Sequence, residues 1–161
     1  MQLGNSHLFV DVDLVEVSNA LSEWSWFLKG EWTPLSVSAV GDVFLENQTG
    51  KVFRLDTGVA ELEAVAPSVA AFHEALQFPA SLQEWLLAPV VAELQSQGKT
   101  LGHGQCYGFT ILPIFREGSY RAENRFMLSA LEHIRITGDM HSQLKDVPNG
   151  QAIKIKVKVT E

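Results

Sequence analysis

Val43-Phe44-Leu45-Glu46-Asn47-Gln48-Thr49-Gly50-Lys51-Val52-Phe53-Arg54-Leu55-Asp56 is the stretch whose reading decides the fold class. Two short runs rich in valine, leucine and phenylalanine flank Asn47-Gln48-Thr49-Gly50, whose Asn and Gly suit a tight hairpin loop. The runs predict strands over Val43–Glu46 and Lys51–Asp56. After the Thr57-Gly58 turn, Glu61–Val65 reads as a third strand, so residues 43–65 form an antiparallel meander.

Outward from this β region the periodicity turns helical. Upstream, Leu8–Val15 alternates loosely and is expected as a strand. A helix over about Ser18–Lys29 follows, with Ser18 as N-cap, Leu21, Trp24, Phe27 and Leu28 on one face, and Gly30 as its stop. Downstream, Pro67-Ser68 opens a helix carrying Val69, Phe72 and Leu76 on one stripe. Ser81-Leu82-Gln83-Glu84 has the capping-box pattern and predicts a second helix to about Gln97. Pro89 inside it predicts a kink, because proline removes a backbone donor and crowds the preceding turn.

The last third returns to β. Gln105–Leu112 and Arg125–Leu131 read as strands, and Glu132–Val147 as a helix with Ile136, Met140, Leu144 and Val147 on one stripe. Pro148-Asn149-Gly150 is a turn, and Ile153–Val159 alternates apolar residues with lysine as an edge strand does. The order predicts one α+β domain over residues 1–161: mainly antiparallel sheet, an N-terminal helix, a central helix pair, and a C-terminal helix before the last strand.

Composition bounds the function. The chain has 161 residues, 46% hydrophobic and 19% charged, enough for one core and too little charge for a disordered chain. The longest apolar run, Leu86–Ala92, falls far short of the roughly 20 residues a membrane span needs. No secretory signal opens the sequence, and a single cysteine, Cys106, leaves no internal disulfide, so a cytoplasmic location is expected. The net charge of −7 argues against nucleic acid as a direct partner. The charge is also uneven. Up to Gly98, three cations (Lys29, Lys51, Arg54) stand against thirteen acids, whereas after it nine cations stand against six. An acidic face of this kind aids solubility and steers a basic partner.

Signatures of catalysis and metal binding fail on spacing. Gly98-Lys99-Thr100 ends a helix rather than opening one, and Glu93 stands where a phosphate-binding loop needs its first glycine. His103 and Cys106 supply half of a zinc site with no second pair. Cys106 lies in the apolar-aromatic string Gln105–Phe109, where an inert buried thiol is the default. No cofactor and no metal are expected. Trp26 and Trp32 are the aromatic candidates for a partner interface, with Glu61, Glu63 and Glu74 as rim charges.

Several motifs follow one another in a recognisable order. They are Gly41-Asp42-Val43-Phe44-Leu45, Gly50–Asp56, Gly104-Gln105-Cys106-Tyr107-Gly108-Phe109, Gly118-Ser119-Tyr120, Glu123-Asn124, Met140-His141 and Gln143–Gly150. Together, over about 35–159, they resemble a bacterial domain family named for the C-terminal domain of an immunity protein that neutralises a type VI-secreted DNase. Some relatives carry a further N-terminal domain, for which residues 1–34 are too short. The family pattern usually has Leu-Gly-Gly before the tyrosine, where this chain has Arg116-Glu117-Gly118-Ser119, so that loop is expected to differ. The resemblance implies a non-catalytic, cytoplasmic binding protein that occludes a cognate toxin, a nuclease in the family's own example. From the charge and the short apolar runs, no direct contact with nucleic acid or membrane is expected. Two other classes stay open: a general interaction or regulatory module, and a small-molecule site or enzyme built from Cys106, Tyr107, His141 and Lys145.

Overall fold

The computed structural model describes residues 3–151. Strands β1 (Thr33–Val37), β2 (Val43–Glu46), β3 (Val52–Asp56) and β4 (Glu61–Ala66) form an antiparallel sheet in sequential order, the meander expected from the sequence with one strand added. β1 escapes sequence reading because Pro34 lies inside it. As an outer strand it tolerates the missing donor, and the register with β2 shifts between Pro34 and Ser36. A second antiparallel pair, β5 (Gln105–Phe109) and β6 (Arg125–Ser129), joins the first sheet where the Tyr107 amide donates to the Ala39 carbonyl at 2.7 Å.

Helices cover both faces of the four-stranded sheet. One face carries Phe44 and Val52 and packs against α2 (Val69–Ala75), α3 (Pro79–Leu86) and α4 (Ala88–Ser96) through Phe72, Leu86, Val91 and Leu94. The other carries Val37, Val43, Leu45 and Leu55 and packs against α1 (Leu14–Ala20), the 3-10 turn Leu21–Trp24 that follows it and α5 (Ala130–Leu144) through Val17, Trp24 and Ile134. Burial on both faces explains why β2 reads as a near-continuous apolar run rather than an alternating one.

Several helix boundaries differ from expectation, each through backbone chemistry. Leu8–Val15 is not a strand: a 3-10 turn over Leu3–Leu8 and one bridge, Phe9 to Ser38, lead into α1. α1 starts at Leu14 because the Asp13 carboxylate accepts from the Val15 amide at 2.8 Å; Ser18 lies within the helix, which a 3-10 turn extends to Trp24. The capping box at Ser81 does not form either, since Phe78 is the N-cap of α3 and Pro79 its first residue. At Pro89 the chain breaks fully: Leu87 adopts φ +50°, ends α3, and puts Pro89 in the first turn of α4, where no donor is needed. The strand expected over Ile153–Val159 lies outside the described residues.

α5 buries a different stripe from the one its apolar residues suggest. Ala130, His133, Ile134, Thr137, Gly138 and His141 face inward, and Ile136, Met140 and Leu144 are only half-buried. Two tryptophans set this rotation. The Trp24 indole donates to the Ile134 carbonyl at 2.9 Å and the Trp26 indole to the Gly138 carbonyl at 3.1 Å. A methyl group on Gly138 would lie 2.8 Å from both the Glu23 carbonyl oxygen and the Trp24 ring. Gly138→Ala therefore reverses the usual helix-propensity gain and destabilises the protein by about 1–3 kcal/mol. Urea denaturation measures it; a variant as stable as wild type would contradict the close packing.

Candidate functional site

Between the sheet and α5 lies a polar node that motif reading did not find. Thr57, at the β3–β4 turn, is its centre. The Thr57 amide donates to Asp42 Oδ1 at 3.1 Å, and its carbonyl accepts from His141 Nε2 at 2.8 Å. Its hydroxyl lies 3.1 Å from the Gly41 carbonyl and 2.9 Å from His133 Nε2. With the hydroxyl donating to the Gly41 carbonyl, its oxygen accepts the hydrogen bond of a His133 Nε2–H. Gly41 has φ +88° and no room for a side chain, because a Cβ there would sit 2.5 Å from His133 Nε2.

Charge enters the node in compensated form. Asp42 Oδ2 pairs with Arg54 at 3.1 Å, and Arg54 also holds Glu63 at 3.2 Å. Arg125, itself buried, donates to the carbonyls of Val40, Tyr107 and Tyr120 and lies 4.0 Å from the centre of the Phe109 ring. Tyr120 donates to Asp56 Oδ2 at 2.9 Å. Asn124 closes the loop over residues 111–119, donating to the carbonyls of Ile111 and Ser119 at 2.7 Å each and accepting from the Ile111 amide at 3.0 Å.

Burial first, then Asp56, pushes the Asp42 carboxyl up to about 7, against the pull of Arg54. Burial first, then Arg125, pushes His133 down to about 3, and burial also lowers His141. The histidines are therefore neutral structural donors at neutral pH. Asp42, Thr57, His133 and His141 are buried and bonded to protein partners, with Arg54 and Glu63 leading from them to the surface, so the node holds elements together.

The residues nominated from sequence are distributed as follows. Cys106 and Tyr107 point to opposite faces of β5: Cys106 joins the core beneath α5 and Tyr107 the core beneath α2–α4, where its hydroxyl donates to the Lys99 carbonyl. His141 is bonded to Thr57, and Lys145 lies 5.8 Å from the centre of the Trp26 ring. The four do not line one cavity. Burial pushes the Cys106 thiol up to about 12, which removes thiolate reactivity near neutral pH. Trp26 is half-buried against α5, and half-buried Trp32 bonds the Lys29 carbonyl and packs edge-on against Phe53 at 5.3 Å. Glu61, Glu63 and Glu74 are exposed on β4 and α2, which pack together, and Glu63 is tied to Arg54.

Comparison with known proteins finds a family match over part of the chain. Residues 66–141 match the family of the T6SS immunity protein Tdi1, C-terminal. The span runs from the end of β4 to the buried His141 and includes all of α2–α4, β5 and β6. It agrees with the resemblance carried by the motifs from Gly104 to His141. No curated protein matches. A solved structure described as the crystal structure of Atu4351 from Agrobacterium tumefaciens is similar at 17% identity and a TM-score of 0.49, over 76% of this chain. The chain spans 63% of the length of that structure. Among the described residues no helix is long and apolar enough to cross a membrane, and no group of three or more metal-ligating side chains comes together.

The node carries a pH prediction. The raised Asp42 contributes stability that is full below about pH 4 and is lost as pH rises through about 7. The depressed His133 has the opposite sign, with stability full above 6.5 and lost as pH falls toward about 3. Between pH 4 and 6.5 the two offset each other. Asp42→Asn removes one side of the balance, so it loses on the order of 2 kcal/mol more than wild type on acidification across that window. Denaturant midpoints at pH 4.5 and 6.5 measure the difference, and parallel curves for the two proteins would refute it.

Proposed function

We propose that this chain is a non-catalytic immunity protein that neutralises a cognate toxin by covering its working surface, and that the toxin is a DNA-cleaving nuclease. The family match over residues 66–141 carries the reading. The charge distribution supports it. A nuclease presents a basic cleft to its polyanionic substrate, and an acidic protein competes for that cleft. The covering surface is the acidic one built by β4 and the helices that follow it, with Glu61, Glu63 and Glu74 exposed upon it. Trp26 and Trp32 use their indole N–H groups on this chain's own carbonyls, which makes them supports of the scaffold first.

Co-expression with the toxin encoded beside the gene tests the reading: growth is rescued, and purified chain inhibits DNA cleavage stoichiometrically. A chain that leaves both toxicity and cleavage unchanged defeats it. Reversing Glu61, Glu63 and Glu74 to lysine slows association at low salt about tenfold or more, because charge at an interface acts mainly on the on-rate. Glu61→Lys and Glu74→Lys alone move stability by less than about 1 kcal/mol, whereas Glu63→Lys also removes the ion pair to Arg54. Unchanged association kinetics at low salt would remove this face from the interface. Cys106→Ala costs core packing but keeps inhibition intact; a folded variant that has lost all protection would mean the thiol takes part in the function.

A further inference from the structure

Phe78 combines two choices that local folding disfavours. It is the N-cap of α3, at φ −101° and ψ 132°, a geometry in which Ser, Thr, Asp or Asn accepts from the first-turn amides; a phenylalanine cannot. The caps of α1, α2 and α5 (Asp13, Ser68 and Ser129) all make that bond. The cap of α4, Leu87, also lacks it, but Leu87 packs against the core. Phe78 is instead 58% exposed, at a corner where Gln77, Pro79 and Ala80 are exposed as well. A large apolar side chain held out on a backbone fixed by Pro79 and by the bonds of the Ser81 and Leu82 amides to the Phe78 carbonyl is a rigid knob.

The surroundings of the knob define what it fits. No lysine or arginine occurs between Arg54 and Lys99, so β4, α2, α3 and α4 carry none. The same segments present Glu61, Glu63, Glu74, Glu84 and Glu93 to solvent. Arg54, beside β4, is held by Asp42 and Glu63, and Arg121, next to the turn that packs on α4, faces Glu123 at 3.6 Å. An exposed aromatic among segments that carry five exposed glutamates and neither lysine nor arginine selects a basic protein surface with an apolar pocket. A nucleic acid, an anionic membrane or a second copy of this face would meet like charge.

We propose that Phe78 is the apolar anchor by which this acidic face docks on a basic protein partner, the toxin of the preceding reading, on which this inference rests. Anchors of this kind dominate binding when their pocket excludes water, and surrounding charges set orientation and rate.

The test uses the full chain and a catalytically inactive form of the toxin encoded beside it, with affinity read by surface-immobilised binding and stability by thermal unfolding. Phe78→Ser is expected to weaken binding by about 30-fold or more. Its Tm stays the same or rises by about 2–4 °C, since serine supplies the missing cap. Phe78→Trp keeps an aromatic knob and binds within about threefold of wild type. Wild type that binds while Phe78→Ser binds within twofold of it overturns the anchor and leaves the immunity reading standing. Loss of binding in Phe78→Trp equal to that in Phe78→Ser also overturns it, because a structural role would not discriminate the two. Wild type that does not bind the toxin at all defeats the immunity reading and this inference with it.

Discussion

Thr57 is the residue on which the two halves of the molecule depend. Its amide, hydroxyl and carbonyl reach the start of β2 through Gly41 and Asp42 and the inner stripe of α5 through His133 and His141. Each contact is buried, so each polar group would carry a desolvation cost without its partner. That condition explains the neighbours. Gly41 must lack a side chain, His133 must stay neutral, and Asp42 must face Arg54. The turn that joins two strands thereby becomes the seat of a helix far away in sequence.

The tryptophans complete the attachment of α5. Trp24 and Trp26 donate to carbonyls one turn apart on the same helix, and Gly138 lets the chain at Glu23 approach its backbone. With α5 fixed on one face and α2–α4 on the other, the four-stranded sheet is a filled middle layer. Its buried polar node is bonded internally, and on one side the helices α2–α4 carry glutamates and neither lysine nor arginine.

Much of the architecture was legible from local pattern. The strand-turn-strand unit around Asn47–Gly50, the strand pair of Gln105–Phe109 and Arg125–Ser129, and the helix after Pro67-Ser68 depend on turn chemistry and periodicity within a few residues, and they stand close to where the pattern puts them. Reading failed where a boundary is decided by competition between neighbours. Asp13 captures the cap that Ser18 was expected to supply, and Leu87 takes a left-handed conformation that turns a kink at Pro89 into a break. The α5 stripe failed for a different reason. Apolarity points to Ile136 and Met140, but the inward face is chosen by hydrogen bonds to partners about 80 to 110 residues away.

By itself the sequence determined the class of fold, the asymmetry of charge and the family motifs, because each is written in residue type and short-range spacing. Tertiary structure alone decided which polar side chains are buried together, that Cys106 and Tyr107 face opposite cores, and that Phe78 stands out at a helix corner. Those facts depend on which surfaces meet across long sequence distances. Burial and hydrogen-bond satisfaction are properties of that meeting, and spacing along the chain does not encode them directly.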